Sequence, residues 1–133
     1  MQQNIKETLV KAEKYYSIKR IYNKYKELSM VQVLDNRGRI YKCMFYDDNA
    51  RLSSICVYNT TSGKEIQNIT YRSDGKTVSS IREFNKDNGK PISVKFFKED
   101  GKTISSLIEY NDYGNEAKFS LYCDNGEVIS SAI

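Results

Sequence analysis

Residues 96–114 read FFKEDGKTISSLIEYNDYG, and the same phrases recur on both sides of them. Residues 71–85 read YRSDGKTVSSIREFN, and residues 122–133 read YCDNGEVISSAI. Each copy sets a turn signal, Asp-Gly or Asn-Gly, between runs in which apolar and polar residues alternate. Alternation with a period of two marks a half-buried strand, and Asp-Gly or Asn-Gly between two such runs marks a hairpin. The stretch therefore predicts antiparallel strands joined by a two-residue type I′ loop at Asp100-Gly101, with similar loops at Asp74-Gly75 and Asn125-Gly126.

All seven glycines, at 38, 63, 75, 89, 101, 114 and 126, belong to one series. Gly63, Gly89 and Gly114 open units whose second turns carry Gly75, Gly101 and Gly126, each 12 residues later. Gly38 opens a fourth unit in which Asn49 stands for the second glycine, since Asn also tolerates a positive φ. The period is 25–26 residues. Tyr46, Tyr71, Phe97 and Tyr122 fill one aromatic slot of the unit, and Tyr58, Phe84 and Tyr110 fill the other. Reversals every 12–14 residues predict a β-meander of about nine strands rather than a solenoid, whose rungs need corners instead of reversals.

The run FNKDNGKPISVKFFKEDGKTISSLIEYN, residues 84–111, resembles the tandem β-hairpin repeats of an uncharacterised family of phytoplasma and mollicute proteins. Its units alternate DGKTI and NGKxI turns, and the likeness covers about residues 36–133. RHS-type YD repeats and MORN-like repeats are more distantly similar. The resemblance implies a repeat-built β architecture and no established activity or catalytic residue.

Residues 4–28 predict a helix. Asn4 and Glu7 make a capping-box pattern, and no Gly or Pro occurs before residue 38. The apolar stripe changes face at Tyr16–Ser17: Ile5, Leu9, Ala12 and Tyr16 fall on one side, and Ile18, Ile21, Tyr22, Tyr25 and Leu28 on nearly the opposite one. The expected class is thus α+β in a single domain of 133 residues. A basic helix over 1–29 would cover a curled antiparallel sheet built from four two-stranded repeats over 30–133. With two-residue loops, Phe97, Ile104, Ile108 and Tyr110 would share one face with Ser93, Lys95 and Ser106. Ile92, Val94, Phe96 and Leu107 would share the other with Ser105 and Glu109.

The chain holds no histidine, so Ser-His-Asp and Cys-His sites cannot be built. DGKT at 74–77 and 100–103 imitates the end of a phosphate-binding loop, but Thr70 and Phe96 stand where its first glycine is required. The aspartates cluster in turns, where they bond nearby backbone. No catalytic, cofactor or metal site is expected, and the protein reads as non-enzymatic. The Ser-Ser pairs at 53–54, 79–80, 105–106 and 130–131 read as small polar residues kept by duplication rather than as phosphorylation sites. No apolar run approaches the length of a membrane span. Cys43, Cys56 and Cys123, three thiols in a chain without a secretory signal, point to the reducing cytoplasm.

Net charge is +4 and belongs to residues 1–28, while the remaining residues balance. Two functions follow as expectations. The first is recognition of another protein, as by a small inhibitor or immunity-type protein of a mobile element. Its anchors would be the aromatic columns, at Tyr71, Phe84, Phe97, Tyr110 and Tyr122. The alternative is binding of RNA or single-stranded nucleic acid by the basic helix, through Lys14, Lys19, Arg20 and Lys24 with tyrosines between them. Membrane docking is not expected.

Overall fold

A computed structural model describes residues 17–133. They form ten strands: β1 Ser17–Tyr22, β2 Leu28–Leu34, β3 Ile40–Tyr46, β4 Leu52–Tyr58, β5 Glu65–Tyr71, β6 Val78–Phe84, β7 Pro91–Phe97, β8 Ile104–Tyr110, β9 Glu116–Tyr122 and β10 Val128–Ala132. The strands lie side by side in sequence order, each antiparallel to the next, in one sheet.

The described residues are all-β, which corrects the expected α+β class. The part of the expected helix at 4–16 lies outside the described residues. The part at 17–28 is strand β1, a turn and the start of β2. From Ser17 on, Ile18 and Ile21 therefore belong to a strand and not to a second helical face. In SIKRIY, Ile18 and Arg20 pair with Val33 and Val31 on one face, while Lys19 and Ile21 meet Gln32 and Met30 on the other. The turn that follows has no glycine to announce it. Asn23 Oδ1 accepts the backbone N–H groups of Tyr25 and Glu27, and Lys26 itself takes φ 65°. This tenth strand is one more than the glycine series foretells.

The hairpin chemistry also differs from the type I′ expectation. A type I′ loop needs two successive residues at positive φ. Here Gly75, Gly101 and Gly126 have positive φ, but Asp74, Asp100 and Asn125 do not. In the last hairpin the N–H of Gly126 donates to the Cys123 carbonyl at 3.0 Å, and that of Cys123 donates to the Glu127 carbonyl at 2.8 Å. This is a four-residue turn followed by one left-handed residue, which adds a residue to the loop. At 47–51 the left-handed residue is Ala50 (φ 60°), not Asn49, whose N–H instead donates to Asp47 Oδ1 at 2.9 Å.

Most hairpins add another residue inside the ladder. Register shifts leave Ser29, Ser53, Ser79 and Ser105 as bulges near one end of the strands. Tyr41, Ile66, Ile92 and Ala117 are the bulges near the other. The first serine of three Ser-Ser pairs thus has a structural task. Ser53, Ser79 and Ser105 each donate Oγ–H to the carbonyl of the opposite strand, at Phe45, Thr70 and Phe96, all at 3.1 Å. Ser29 does the same to Ile21 at 3.2 Å. Bulges increase local right-handed twist.

One added residue flips every later side chain to the other face. Lys95 stands opposite Leu107, and Val94 opposite Ile108. Ser93, Lys95, Phe97, Leu107 and Glu109 therefore share one face, and Val94, Phe96, Ser106, Ile108 and Tyr110 the other, which corrects the expected grouping. Both faces hold buried residues. Val31, Val33, Met44 and Leu52 form a core on the face that carries Ile55 and Tyr71, while Cys43, Cys56 and Val94 are buried on the opposite face.

Candidate functional site

The turns β2–β3, β4–β5, β6–β7 and β8–β9 lie along one end of the strands. Alternate turns are two strand spacings apart, about 9–10 Å. They touch through side chains: Asn59 Nδ2 and Ser62 Oγ donate to the Lys86 carbonyl, and Lys64 Nζ to that of Asp87 at 3.2 Å. Clefts open between successive turns in this row.

The cleft between turns β6–β7 and β8–β9, about 340 Å³, is lined by Asn85, Asn88, Lys90, Pro91, Tyr110 and Asp112, with Ile92 and Asn111 completing it. Its geometry follows from the turns. Asn85 Oδ1 accepts the N–H groups of Asp87 and Asn88 at 2.8 and 3.1 Å. Asn88 Oδ1 accepts that of Lys90 at 2.8 Å, and Asn111 Oδ1 those of Tyr113 and Asn115 at 3.0 and 3.1 Å. Each side-chain carbonyl is committed to its own turn, which leaves the NH2 group of the same amide as its remaining donor. The cleft thus sets amide donors, the Lys90 ammonium and the Asp112 carboxylate around a Tyr110 ring with Pro91 and Ile92 beside it.

A second cleft, of about 430 Å³, adjoins Asn85 and Asp87 and is lined also by Ile66, Gln67, Glu83 and Phe84. A third, of about 480 Å³, lies between Arg39–Ile40 and the turn Thr60–Gly63, with Tyr58 on its wall.

The opposite row of turns is tied together by charge. Arg51 Nη1 donates to the Ser73 carbonyl, Arg72 Nη2 to that of Phe97 at 2.8 Å, and Lys98 Nζ pairs with Asp124 at 2.6 Å. In two of these turns a threonine hydroxyl, Thr77 or Thr103, bonds the carboxylate of Asp74 or Asp100. With the backbone N–H groups of the same turn, it holds each carboxyl down to a pKa of about 2. These aspartates order turns, and no group of three or more metal-ligating side chains assembles among the described residues.

The five aromatic candidates are not brought onto one surface. Tyr71, Phe97 and Tyr122 sit at the ends of β5, β7 and β9 on the face of the core. Phe84 and Tyr110 sit at the ends of β6 and β8, on the other face and at the other end of the strands. Tyr71 packs against the core, whereas Tyr110 enters the 340 Å³ cleft. Of the basic candidates, Lys14 lies outside the described residues. Lys19 and Arg20 are adjacent strand residues on opposite faces, and Lys24 is in the turn. Sequence reasoning missed Asn85, Asn88, Lys90, Asn111 and Asp112. The signal available was the recurrence of Asn as the residue that opens three of the four turns in this row, at Asn59, Asn85 and Asn111.

A family model described as "Protein of unknown function (DUF2963)" matches residues 45–95. No curated protein matches the chain in sequence. Among solved structures, the fold is similar to part of a GtfA/B complex bound to UDP and GlcNAc (TM-score 0.60, 11% identity, 89% of this chain and 24% of that one). It is similar to part of TarM of S. aureus (TM-score 0.56, 15% identity, 96% and 23%). It is also similar to part of the pneumococcal O-GlcNAc transferase GtfA in complex with UDP and GlcNAc (TM-score 0.54, 18% identity, 94% and 22%). The chain spans about a quarter of the length of each.

At these identities the likeness is one of fold. The expected inhibitor-type recognition of another protein or RNA is not what the comparisons return: the neighbours that share this sheet include a pneumococcal O-GlcNAc transferase, and they establish a fold and no function. The aromatic candidates divide between two faces, Tyr71, Phe97 and Tyr122 on one and Phe84 and Tyr110 on the other, and Lys19 and Arg20 divide likewise. No helix among the described residues is long and apolar enough to cross a membrane.

Proposed function

We propose that this chain is a saccharide-binding sheet of a glycosyl-transfer system, which holds a sugar unit of the acceptor and performs no bond-making itself. The observation that carries the reading is the cleft at Asn85, Asn88, Lys90, Tyr110, Asn111 and Asp112. A pyranose offers hydroxyls that both donate and accept, around a C–H face. Amide donors, a carboxylate acceptor and a tyrosine ring match those groups in kind, and few well-placed polar groups on a partly apolar wall are the ordinary make-up of a small-ligand site. The glycosyltransferases that share the fold, two of them solved with UDP and GlcNAc, make a GlcNAc-bearing acceptor the first choice of ligand. In this reading the matched family of unknown function is the tandem-hairpin family that the repeats resemble.

The test is an NMR titration of the isotope-labelled protein with GlcNAc and its β-linked disaccharide. A single open cleft should bind weakly, with a Kd of about 1 mM, or roughly −4 kcal/mol. The side-chain NH2 signals of Asn85, Asn88 and Asn111 and the ring signals of Tyr110 should move together, and Tyr110→Ala or Asn111→Ala should abolish the response. Shifts confined to residues away from this cleft, or none at all, would overturn the reading.

A further inference from the structure

On the face opposite the core, the register of β3 and β4 sets Cys43 directly against Cys56. No other pair of the chain's three cysteines is brought together, since Cys123 lies in the β9–β10 turn. Directly opposed residues of an antiparallel pair have Cα atoms about 4.5–5.5 Å apart. A disulfide accepts about 4.4–6.8 Å. The Tyr58 hydroxyl neighbours both thiols. Asn68 Nδ2 donates to Cys56 Sγ at 3.1 Å, and the Glu65 carboxylate lies near the same thiol. Two sulfurs, a phenol, an amide and a carboxylate thus form one cluster with both cysteines buried.

We propose that Cys43 and Cys56 are a dithiol–disulfide pair, oxidised within the folded sheet by exchange with a small disulfide. One protein sulfur, as thiolate, attacks the small disulfide, the S–S bond breaks, and one small thiolate leaves. The second protein sulfur, deprotonated, displaces the other small thiolate from the mixed disulfide. The dithiol has lost two electrons and two protons, and one small disulfide has become two small thiols. Burial raises both thiols, Cys56 to about 11, so little thiolate is present at neutral pH and exchange is slow. The equilibrium is set instead by how closely the fold holds the two sulfurs.

The bond would have a reader. Tyr58, whose hydroxyl neighbours both thiols, also lines the cleft with Arg39, Ile40, Thr60, Thr61 and Ser62. Forming the disulfide removes both S–H groups from beside the Tyr58 hydroxyl and so changes its surroundings at the wall of that cleft. The inference concerns a different cleft from the proposed saccharide site and does not depend on it.

The experiment uses the full chain carrying Cys123→Ser, equilibrated in glutathione buffers of graded ratio, acid-quenched and mapped by mass spectrometry. The expected result is an intramolecular Cys43–Cys56 disulfide. Its midpoint should lie at a [GSH]²/[GSSG] value at least about tenfold higher in the folded protein than in urea, because the fold favours the disulfide. Adding Cys43→Ser should leave only the mixed disulfide on Cys56, and oxidation should shift the Tyr58 ring resonances but not those of Tyr110. An equal or lower midpoint in the folded protein, or glutathione adducts without the internal bond, would overturn the proposal. Unmoved Tyr58 signals would overturn the coupling to the cleft.

Discussion

Replacing Gly75 and Gly126 by alanine separates two physical costs that one glycine pattern conceals. Both residues are left-handed, at φ +72° and +88°. For an L-residue that conformation costs about 1–2 kcal/mol, part of which is offset, by about 0.4–1 kcal/mol, because alanine also restricts the unfolded chain. Around Gly126 a new Cβ would meet nothing within 4 Å. Around Gly75 it would meet Arg51 Cβ at 2.9 Å and the backbone nitrogen of Leu52 at 3.2 Å. These atoms belong to the equivalent turn of the preceding repeat and to its strand β4, so no rotation of a side chain relieves the contact. Overpacking of this kind costs about 1–3 kcal/mol more.

The expected loss is therefore about 0.5–1.5 kcal/mol for Gly126→Ala and about 2–4 kcal/mol for Gly75→Ala. Against a typical total of about 5–15 kcal/mol the second is a large fraction. Urea denaturation followed by far-UV circular dichroism reads the difference. With a slope of about 2 kcal/mol per M, the midpoint should fall by about 1–2 M for Gly75→Ala and by less than about 0.8 M for Gly126→Ala. Gly101→Ala should lie between them, since its Cβ meets a methyl of Thr77 at 2.9 Å as well as the Val78 nitrogen at 3.2 Å. Equal losses at Gly75 and Gly126 would refute the claim that successive turns stack in contact.

Three further outcomes are expected. Ala50→Gly should raise stability by up to about 1 kcal/mol, measured by the same denaturation, because Ala50 sits at φ 60° where the other repeats place glycine. Ser105→Ala should cost about 0.5–1.5 kcal/mol by removing the hydroxyl that bonds the Phe96 carbonyl at the bulge, while Ser106→Ala, one residue on, should cost less. Asp74 has a folded pKa of about 2 against 3.8, so its contribution is complete above pH 3.8 and is lost as pH falls toward 2. Thr77→Val should raise the Asp74 midpoint in an NMR titration while leaving Asp100 unmoved.

The repeat, the antiparallel meander and the left-handed glycines were legible because turn chemistry is local. Asp-Gly and Asn-Gly report a backbone need within four residues. Register was not legible, and the reason is the serine at each bulge. Ser53, Ser79 and Ser105 look like the second residue of an alternating strand, yet each is an unpaired insertion held by its own Oγ bond across the ladder. One such residue moves Leu107 from the face of Val94 to that of Lys95, so every grouping of candidate residues built on strict alternation fails together. The strand β1 was hidden for a related reason. Lys26 occupies a glycine's conformation without being glycine, and a segment rich in Lys, Ile and Tyr then satisfies a helix template as well as a strand.

The same bulges account for where the clefts lie. At the cleft end of the strands the extra residues are Tyr41, Ile66, Ile92 and Ala117, one aromatic and three aliphatic side chains. Ile66 and Ile92 turn up as cleft walls, and Ile92 is 48% exposed. At the opposite end the extra residues are serines, whose hydroxyls close back onto the ladder. One end of the repeat therefore spends its insertions on sealing backbone, and the other leaves apolar surface between amide-bearing turns. That asymmetry sets the end of the sheet that carries the clefts apart from the end whose turns are tied together. Ile92→Ser should accordingly weaken GlcNAc binding in the NMR titration while lowering the urea midpoint little, because the side chain is nearly half exposed. A loss of stability without a change in binding would place Ile92 in the packing and not in the site.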